Sequence, residues 1–183
     1  QAWLRLNQVA LEFSEVKVND RIVENFRLSD TYIDIPMPSE GEEHTVSLAW
    51  SATPQTGLHY RGRDGSADTF AEVWSQGEAE DNRYWFPGWD YPNDKFTLHT
   101  DVTVRDGLHA AAPGQFVGKQ TAADGWTTFS YELDHPIVNY LVTVAAGQYQ
   151  VVTDDGPVPF EYIGSARLDP TALKRSLSMA IDQ

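Results

Sequence analysis

The chain has 183 residues, a formal net charge of −14 and no cysteine. This length predicts one domain, or one domain and a fragment of another, and such a chain can bury about 70% of its unfolded surface without a disulfide or a structural metal. The acidic balance argues against nucleic-acid binding, because it repels phosphate and no Lys/Arg cluster offsets it. No apolar run approaches the roughly 18 residues that a transmembrane helix requires, so no transmembrane segment is predicted.

Most of the chain has the two-residue periodicity of β-strands. The segments 44–50, 95–105 and 127–133 alternate apolar and polar residues, which is typical of half-buried strands. The second of them ends at a predicted turn, Asp106-Gly107. The segment 137–152 is apolar on both faces for much of its length and predicts a central strand followed by a partner.

Turn signals recur between these segments. They are Asn19-Asp20, Pro113-Gly114, Asp124-Gly125 and the run Asp154-Asp155-Gly156-Pro157. Short strands with this spacing predict an all-β, antiparallel fold, arranged as a saddle-like set of several sheets or as a sandwich.

A short helix is predicted at the end of the chain. Asp169 is a candidate N-cap, and Pro170 follows at the first helical position. The apolar residues on one helical face are Leu173, Leu177, Ala180 and Ile181. We expect a β domain over residues 1–165, and a linker and the start of a helix over residues 166–183. This helix either packs on the β domain or begins a second domain.

The stretch from Ser75 to Thr97 differs from the rest of the chain in its density of carboxylates, aromatics and prolines. If a strand continues through it, Gln76 and Glu78 project to one face, about 7 Å apart. A carboxylate beside a neutral amide suits an ammonium group, and Gly77 between them permits another backbone to approach closely. The alternative is a surface ion pair between Glu78 and a cation such as Arg83.

The remainder of this stretch predicts a stiffened loop. Ionic hydrogen bonds are expected to pin it, and the residues expected to form them are Arg83, Asp90 and Lys95. Phe86-Pro87 and Tyr91-Pro92 restrict the residue before each proline to an extended conformation.

The same stretch resembles the N-terminal domain signature of the aminopeptidase N family of zinc metallopeptidases, to which the leukotriene hydrolases also belong. That signature has Gln-x-Glu, then Arg, Phe-Pro-Cys, Asp-Glu-Pro and Lys at fixed offsets. The matching residues here are Gln76, Glu78, Arg83, Phe86, Pro87, Asp90, Pro92 and Lys95. Asn82, Gly88 and Tyr91 replace the usual Ala, Cys and Glu. "GLHYRG" and "NYLVTVAAGQY" resemble two further family segments, so the likeness extends from Leu4 to Tyr162.

The resemblance implies a non-catalytic domain that lines the active-site cleft of a zinc aminopeptidase. In such an enzyme Glu78 would bind the free α-amine of a peptide substrate, and Gln76 would line the pocket for its first side chain. The implied partners are peptide N-termini and a catalytic domain of the same polypeptide. The parent enzyme would release N-terminal amino acids.

No catalytic residue or metal site is predicted within the chain itself. The His-Glu-x-x-His motif that holds zinc in such enzymes is absent from the sequence. No two of the five histidines lie at the sequence spacing of metal ligands. These histidines are His44, His59, His99, His109 and His135. We therefore expect zinc only in the absent catalytic domain.

Two other functions are compatible with the sequence. A free-standing β-sandwich module could bind glycans on stacking platforms formed by Trp85, Trp89 and Tyr91, although such aromatics are more often core or interface residues. A non-catalytic relative could retain the family fold as a scaffold for protein interactions.

Overall fold

The computed structural model of the chain describes residues 2–39, 43–62, 71–154 and 160–178. Within these ranges, it contains β-strands, two short 3-10 helices and one α-helix. The strands are β1 (Ala2–Asn7), β2 (Glu12–Val18), β3 (Arg21–Ile22), β4 (Arg27–Leu28), β5 (Tyr32–Met37), β6 (Val46–Ser51), β7 (Leu58–Arg61), β8 (Glu72–Ser75), β9 (Phe96–Arg105), β10 (His109–Ala111), β11 (Gln115–Thr121), β12 (Trp126–Ile137), β13 (Ala145–Gly147), β14 (Tyr149–Asp154) and β15 (Phe160–Ser165). The 3-10 helices are Asn82–Tyr84 and Asn139–Leu141, and the α-helix α1 is Pro170–Ser178.

The chain divides into two compact units that alternate along the sequence. The first unit comprises Gln1–His59, Trp74–Leu98 and Leu133–Thr143, and the second comprises Tyr60–Val73, His99–Glu132 and Val144–Gln183. The strands form five sheets, with the orders β1-β5-β4, β3-β2-β6, β10-β13-β8-β7, β11-β12-β9 and β14-β15. Every strand pairing with a resolved register is antiparallel. The all-β prediction is confirmed.

The core of the first unit is formed by β-branched residues of β2 and β5. Val16, Val18, Ile33 and Ile35 are buried in one cluster. They alternate with more exposed neighbours, except that Pro36 of β5 is also buried, so each strand presents mainly one face to the core. A two-residue turn at Asn19-Asp20 joins β2 to β3, and both residues have positive φ angles, 49° and 62°. Tight hairpins require this conformation, so the predicted turn is confirmed.

The core of the second unit contains Ala110, Phe129, Tyr131 and Ala146. Along β12, buried residues alternate with half-buried ones from Trp126 to Tyr131. Strand β9 alternates over its full length, as the sequence predicts. The half-buried strands predicted at 44–50, 95–105 and 127–133 are therefore present as β6, β9 and β12, with shifts at their ends.

The C-terminal helix packs within the second unit. Asp169 Oδ1 accepts a hydrogen bond from the backbone N–H of Ala172 at 3.0 Å, so Asp169 is the predicted N-cap. Leu173 is buried and lies against Gly164, where a Cβ atom would meet Leu173 Cδ1 at 2.7 Å. Ala180 and Ile181 of the predicted apolar face, and residues 155–157 of the last predicted turn, lie outside the described residues.

The predicted central strand and partner over residues 137–152 are only partly present: β13 lies between β10 and β8 and β14 follows it, but residues 138–144 do not form a strand. Strand β12 ends at Ile137, and a 3-10 helix follows before β13 begins at Ala145. The backbone carbonyls of Asn139 and Val142 accept hydrogen bonds from a side-chain amide, that of Asn82. Because a side chain satisfies these backbone groups, this part of the segment needs no sheet neighbour.

Among the described residues, no helix is both long enough and apolar enough to cross a membrane.

Candidate functional site

The predicted Gln-x-Glu pair lies between the end of β8 and a turn that begins at Glu78. Strand β8 ends at Ser75, so the prediction that Gln76 and Glu78 project from one strand is wrong. The backbone N–H of Gln76 donates to Gly57 O at 2.9 Å, and residues 78–81 then form a turn. This turn is closed by a hydrogen bond of 2.9 Å from Asp81 N to Gly77 O.

Both side chains of the pair are exposed. Among the described residues, neither side chain forms a hydrogen bond or an ion pair. The guanidinium of Arg83, the alternative partner of Glu78, instead binds Glu80 and Asp90. The carboxylate of Glu78 is therefore accessible.

A close contact beneath the pair fixes the backbone at Gly77. A Cβ atom at this position would lie 2.7 Å from Asn82 Nδ2, from Asn82 Oδ1 and from Tyr140 O. No side chain can be placed there without displacing one of these groups. The predicted close approach of another backbone is confirmed, since one of the neighbours is the main-chain carbonyl of Tyr140.

Asn82 is the centre of this support, and no sequence pattern predicts this role, since Asn82 stands out only as a departure from the family signature. Its side chain is fully buried. Nδ2 donates to Asn139 O at 2.6 Å and to Val142 O at 3.2 Å, and Oδ1 accepts from the Trp85 indole at 2.9 Å. One amide thereby connects the turn, the 3-10 helix that follows it and the segment after β12.

Arg83 and Asp90 close the loop with an ion pair. Arg83 Nε donates to Asp90 Oδ2 at 2.9 Å, and the backbone N–H of Arg83 donates to the same oxygen at 3.1 Å. The Asp90 side chain is 1% exposed, and its backbone N–H donates to Asn7 Oδ1 at 3.0 Å. Burial raises the pKa of the Asp90 carboxyl, and the hydrogen bonds from Arg83 oppose this shift.

The other residues of the matched signature contribute less to the bonding of the loop. Phe86 packs edge-to-face on Trp85, with ring centroids 4.6 Å apart, and Pro87 is half-buried beside it. Pro92 and Lys95 are exposed. Within the part of the chain that the structure describes, the Lys95 ammonium forms no hydrogen bond or ion pair.

The three aromatic residues considered for glycan stacking do not share a plane. The Trp89 and Tyr91 rings meet edge-to-face, at 65° and 5.2 Å between centroids. Trp85 is half-buried, and its indole N–H is bound to Asn82. This geometry provides no continuous flat platform for a sugar ring.

The described residues contain no group of three or more His, Cys, Asp or Glu side chains that could hold a metal ion. His44 contacts Asn19 and Ser39 through its two ring nitrogens, at 3.1 and 3.3 Å. His99 lies 2.7 Å from Glu132. The residues that the structure describes therefore do not fit a zinc centre.

Comparison with known proteins identifies the family. Residues 4–141 match the model of the peptidase M1 N-terminal domain, and the chain belongs to this family. Mouse aminopeptidase B is 35% identical over 75 residues, which cover 41% of this chain and 11% of that protein.

Solved structures support the same fold. A crystal structure of the M1 zinc metallopeptidase from Deinococcus radiodurans superimposes with a TM-score of 0.75 and 21% identity, over 91% of this chain and 40% of that one. Native yeast LTA4 hydrolase gives a TM-score of 0.78 and 19% identity, over 100% of this chain and 29% of the hydrolase. The chain thus spans less than half the length of these relatives.

Proposed function

We propose that this chain is the non-catalytic N-terminal domain of a zinc aminopeptidase, and that it anchors the free α-amine of peptide substrates through Glu78. In this proposal the domain lines one side of the active-site cleft, and the parent protein releases N-terminal amino acids. Membership of the peptidase M1 N-terminal domain family and the exposed Gln-x-Glu pair support the proposal.

The proposal depends on one observation, namely that the Glu78 carboxylate is exposed and unpaired among the described residues. The neighbouring Glu80, by contrast, is bound to Arg83 at 2.6 Å. The backbone of the turn at Glu78 is fixed by the close contacts of Gly77 and by the buried side chain of Asn82. An unpaired acceptor on a rigid support suits a ligand that brings its own ammonium group.

Gln76 has the complementary role in this proposal. Its amide side chain is exposed, and its backbone is fixed by the hydrogen bond to Gly57. A neutral amide adds donors and an acceptor without adding charge, which suits the lining of a pocket for the first side chain of the substrate.

The zinc ion and the groups that activate water would come from a catalytic domain of the same polypeptide. Such an ion polarises the scissile carbonyl and lowers the pKa of a bound water. We propose residues 1–165 as the β domain and residues 166–183 as the connection toward the catalytic domain. The partners would then be this catalytic domain and peptide N-termini.

The test is the replacement of Glu78 by Ala in the full-length protein that contains this chain. Loss of a charge-assisted hydrogen bond to ammonium should lower kcat/KM for substrates with a free amino terminus by on the order of 10- to 100-fold. Zinc content should not change, because no metal ligand is altered. The measurements are steady-state kinetics on aminoacyl substrates and metal analysis of the same preparations.

Two controls make the result specific. Glu12→Ala removes an exposed carboxylate of β2, outside the turn, and should leave kcat/KM unchanged. A substrate with an acetylated amine should be processed equally poorly by wild type and Glu78→Ala. Unchanged kinetics in Glu78→Ala would refute the anchoring role, and a full-length protein without zinc would favour the scaffold function.

A further inference from the structure

The second unit contains an apolar cavity that the proposed aminopeptidase function does not use. Its volume is about 320 Å³, and the described residues that line it belong to the second unit. We propose that this cavity binds an amphiphilic anion, namely an apolar chain or ring that carries a single carboxylate, such as a medium-chain fatty acid.

The walls of the cavity favour an apolar ligand. They are formed by residues of β7, β8, β9, β12 and β13 and of the segments between β7 and β8 and after β9. The apolar side chains are Ala71, Val73, Val104, Leu108, Trp126 and Ala146. Small-molecule sites have volumes of roughly 300–1,000 Å³, apolar walls and a few polar groups that fix orientation. The cavity meets this description in size and in lining.

The polar residues that line the cavity include two arginines, Arg61 and Arg105, which differ in their ion pairing. Arg61 Nη2 lies 2.7 Å from Glu72 Oε1, and the other oxygen of Glu72 accepts from the Tyr149 hydroxyl at 3.2 Å. The charge of Arg61 is therefore compensated by Glu72. This pair adds no net charge to the cavity.

The positive charge of Arg105 is not compensated by a carboxylate in the part of the chain that the structure describes. Its guanidinium carbon lies 4.0 Å from the ring centroid of Trp126, and the side chain forms no hydrogen bond or ion pair there. The neighbouring acid, Asp106, already accepts from the Thr127 hydroxyl at 2.7 Å. An arginine stacked on an indole still has its donor groups in the plane of the guanidinium, and these match a carboxylate.

The backbone around Arg105 and Trp126 is fixed before any ligand binds. Asp106 N donates to Gly125 O at 3.0 Å, next to both residues. Arg105 ends β9 and Trp126 begins β12, and these strands are neighbours in one sheet. A pre-formed site of this kind loses little conformational entropy on binding.

The charge of the ligand distinguishes specific binding at Arg105 from nonspecific apolar binding. The net charge of −14 disfavours anions over the molecule as a whole, so preference for an anion would have to arise locally at Arg105. A nonspecific apolar surface would instead bind a cationic amphiphile at least as well. Ligands of equal chain length and opposite charge therefore distinguish the two cases.

The experiment is a titration of the 183-residue chain with dodecanoate and with dodecylammonium, each below its micelle concentration, followed by calorimetry and tryptophan fluorescence. We expect saturable binding of dodecanoate and at least tenfold weaker binding of dodecylammonium. The fluorescence change should be absent in Trp126→Phe, which assigns the signal to the cavity.

Two variants and a matched control complete the test. Arg105→Gln should weaken dodecanoate binding by roughly tenfold or more, because it removes the charge-assisted bond. Ala71→Phe should abolish binding by filling the cavity, with an unchanged circular dichroism spectrum. Arg27→Gln removes a similar stacked arginine, 4.1 Å from the Trp3 ring in the first unit, and should have no effect.

Three results would overturn the proposal. They are the absence of saturable binding, equal affinity for the two charges, and an Arg105→Gln variant that binds like the wild type. None of them depends on peptidase activity, so the outcome is independent of the proposed role of Glu78.

Discussion

Two exposed carboxylates, one in each unit, have opposite surroundings. Glu132 lies on β12 and is 2.7 Å from His99 Nδ1 on β9. The same polar face continues with Asp101, which lies 3.4 Å from His99 Nε2 and accepts from the Ser130 hydroxyl at 2.6 Å. Glu78 lies in a turn and has no partner among the described residues.

The difference follows from the backbone that carries each residue. Neighbouring strands place side chains opposite one another at roughly 4.5–5.5 Å, so exposed polar residues on β9 and β12 pair with each other. A turn provides no facing strand, and the exposed Glu78 stays available for a ligand, although Glu80 of the same turn is bound to Arg83. The buried contacts of Gly77 and Asn82 hold the backbone of this turn instead. Binding residues are often found on loops held in this way by a rigid scaffold.

The largest expected effect comes from removing the support of the turn. Asn82→Ala should lower the free energy of unfolding by about 3–5 kcal/mol, because it leaves two buried carbonyls and an indole N–H without their partner. The measurement is urea unfolding followed by tryptophan fluorescence and circular dichroism.

The matched control for this variant is Asn93→Ala. Asn93 is exposed and accepts one hydrogen bond from the Trp89 indole, at 2.7 Å. Its replacement should cost less than about 1 kcal/mol. Equal losses in the two variants would mean that Asn82 does not support the turn.

A smaller effect is expected from Gly77→Ala. The added methyl group would overlap Asn82 and the Tyr140 carbonyl, and such overpacking costs about 1–3 kcal/mol. Gly118→Ala is the control, because a Cβ atom there would have no neighbour within 4 Å. We expect the control to change the free energy of unfolding by no more than about 0.5 kcal/mol. A tolerated Gly77→Ala would contradict the rigid-turn interpretation.

The fold class could be predicted because its signals are local. The alternation of β9 and the left-handed turn at Asn19-Asp20 each depend on residues close together in the sequence. The helix start at Asp169 and Pro170 is equally local. Such patterns need no knowledge of tertiary contacts.

The support of the candidate site could not be predicted, because it depends on distant residues. The hydrogen-bond acceptors of Asn82 are 57 and 60 residues away in the sequence. The same contacts interrupt the segment that its apolar composition predicts as a central strand. By contrast, the Arg83–Asp90 bond spans seven residues within one loop, so sequence spacing suggests that the two residues can meet.

The pair of Glu132 and His99 should have a weaker effect on the free energy of unfolding, and this effect depends on pH. The hydrogen bond to Glu132 raises the pKa of His99 above its ordinary value of 6.5, and Asp101 adds to the shift. A histidine with a raised pKa in the folded state stabilises the fold fully below the unfolded pKa. This contribution disappears as the pH rises through the folded pKa. Stability should therefore fall modestly as the pH rises above 6.5.

An NMR titration of the His99 ring protons tests this directly. Glu132→Gln should move the pKa of His99 back toward 6.5 and reduce the pH dependence of unfolding, and His99→Gln should remove the contribution altogether. An unchanged His99 titration in Glu132→Gln would show that the two side chains are not coupled in solution.

The smallest expected effect is that of Glu78→Gln on stability. Because Glu78 has no partner among the described residues, the free energy of unfolding should change by no more than about 0.5 kcal/mol in urea titrations at neutral pH. A decrease of more than about 1 kcal/mol in the free energy of unfolding would show that Glu78 has a structural partner. Glu78 would then be a paired carboxylate like Glu132. If stability is retained while turnover of amino-terminal substrates falls in the full-length protein, the carboxylate serves a ligand and not the fold.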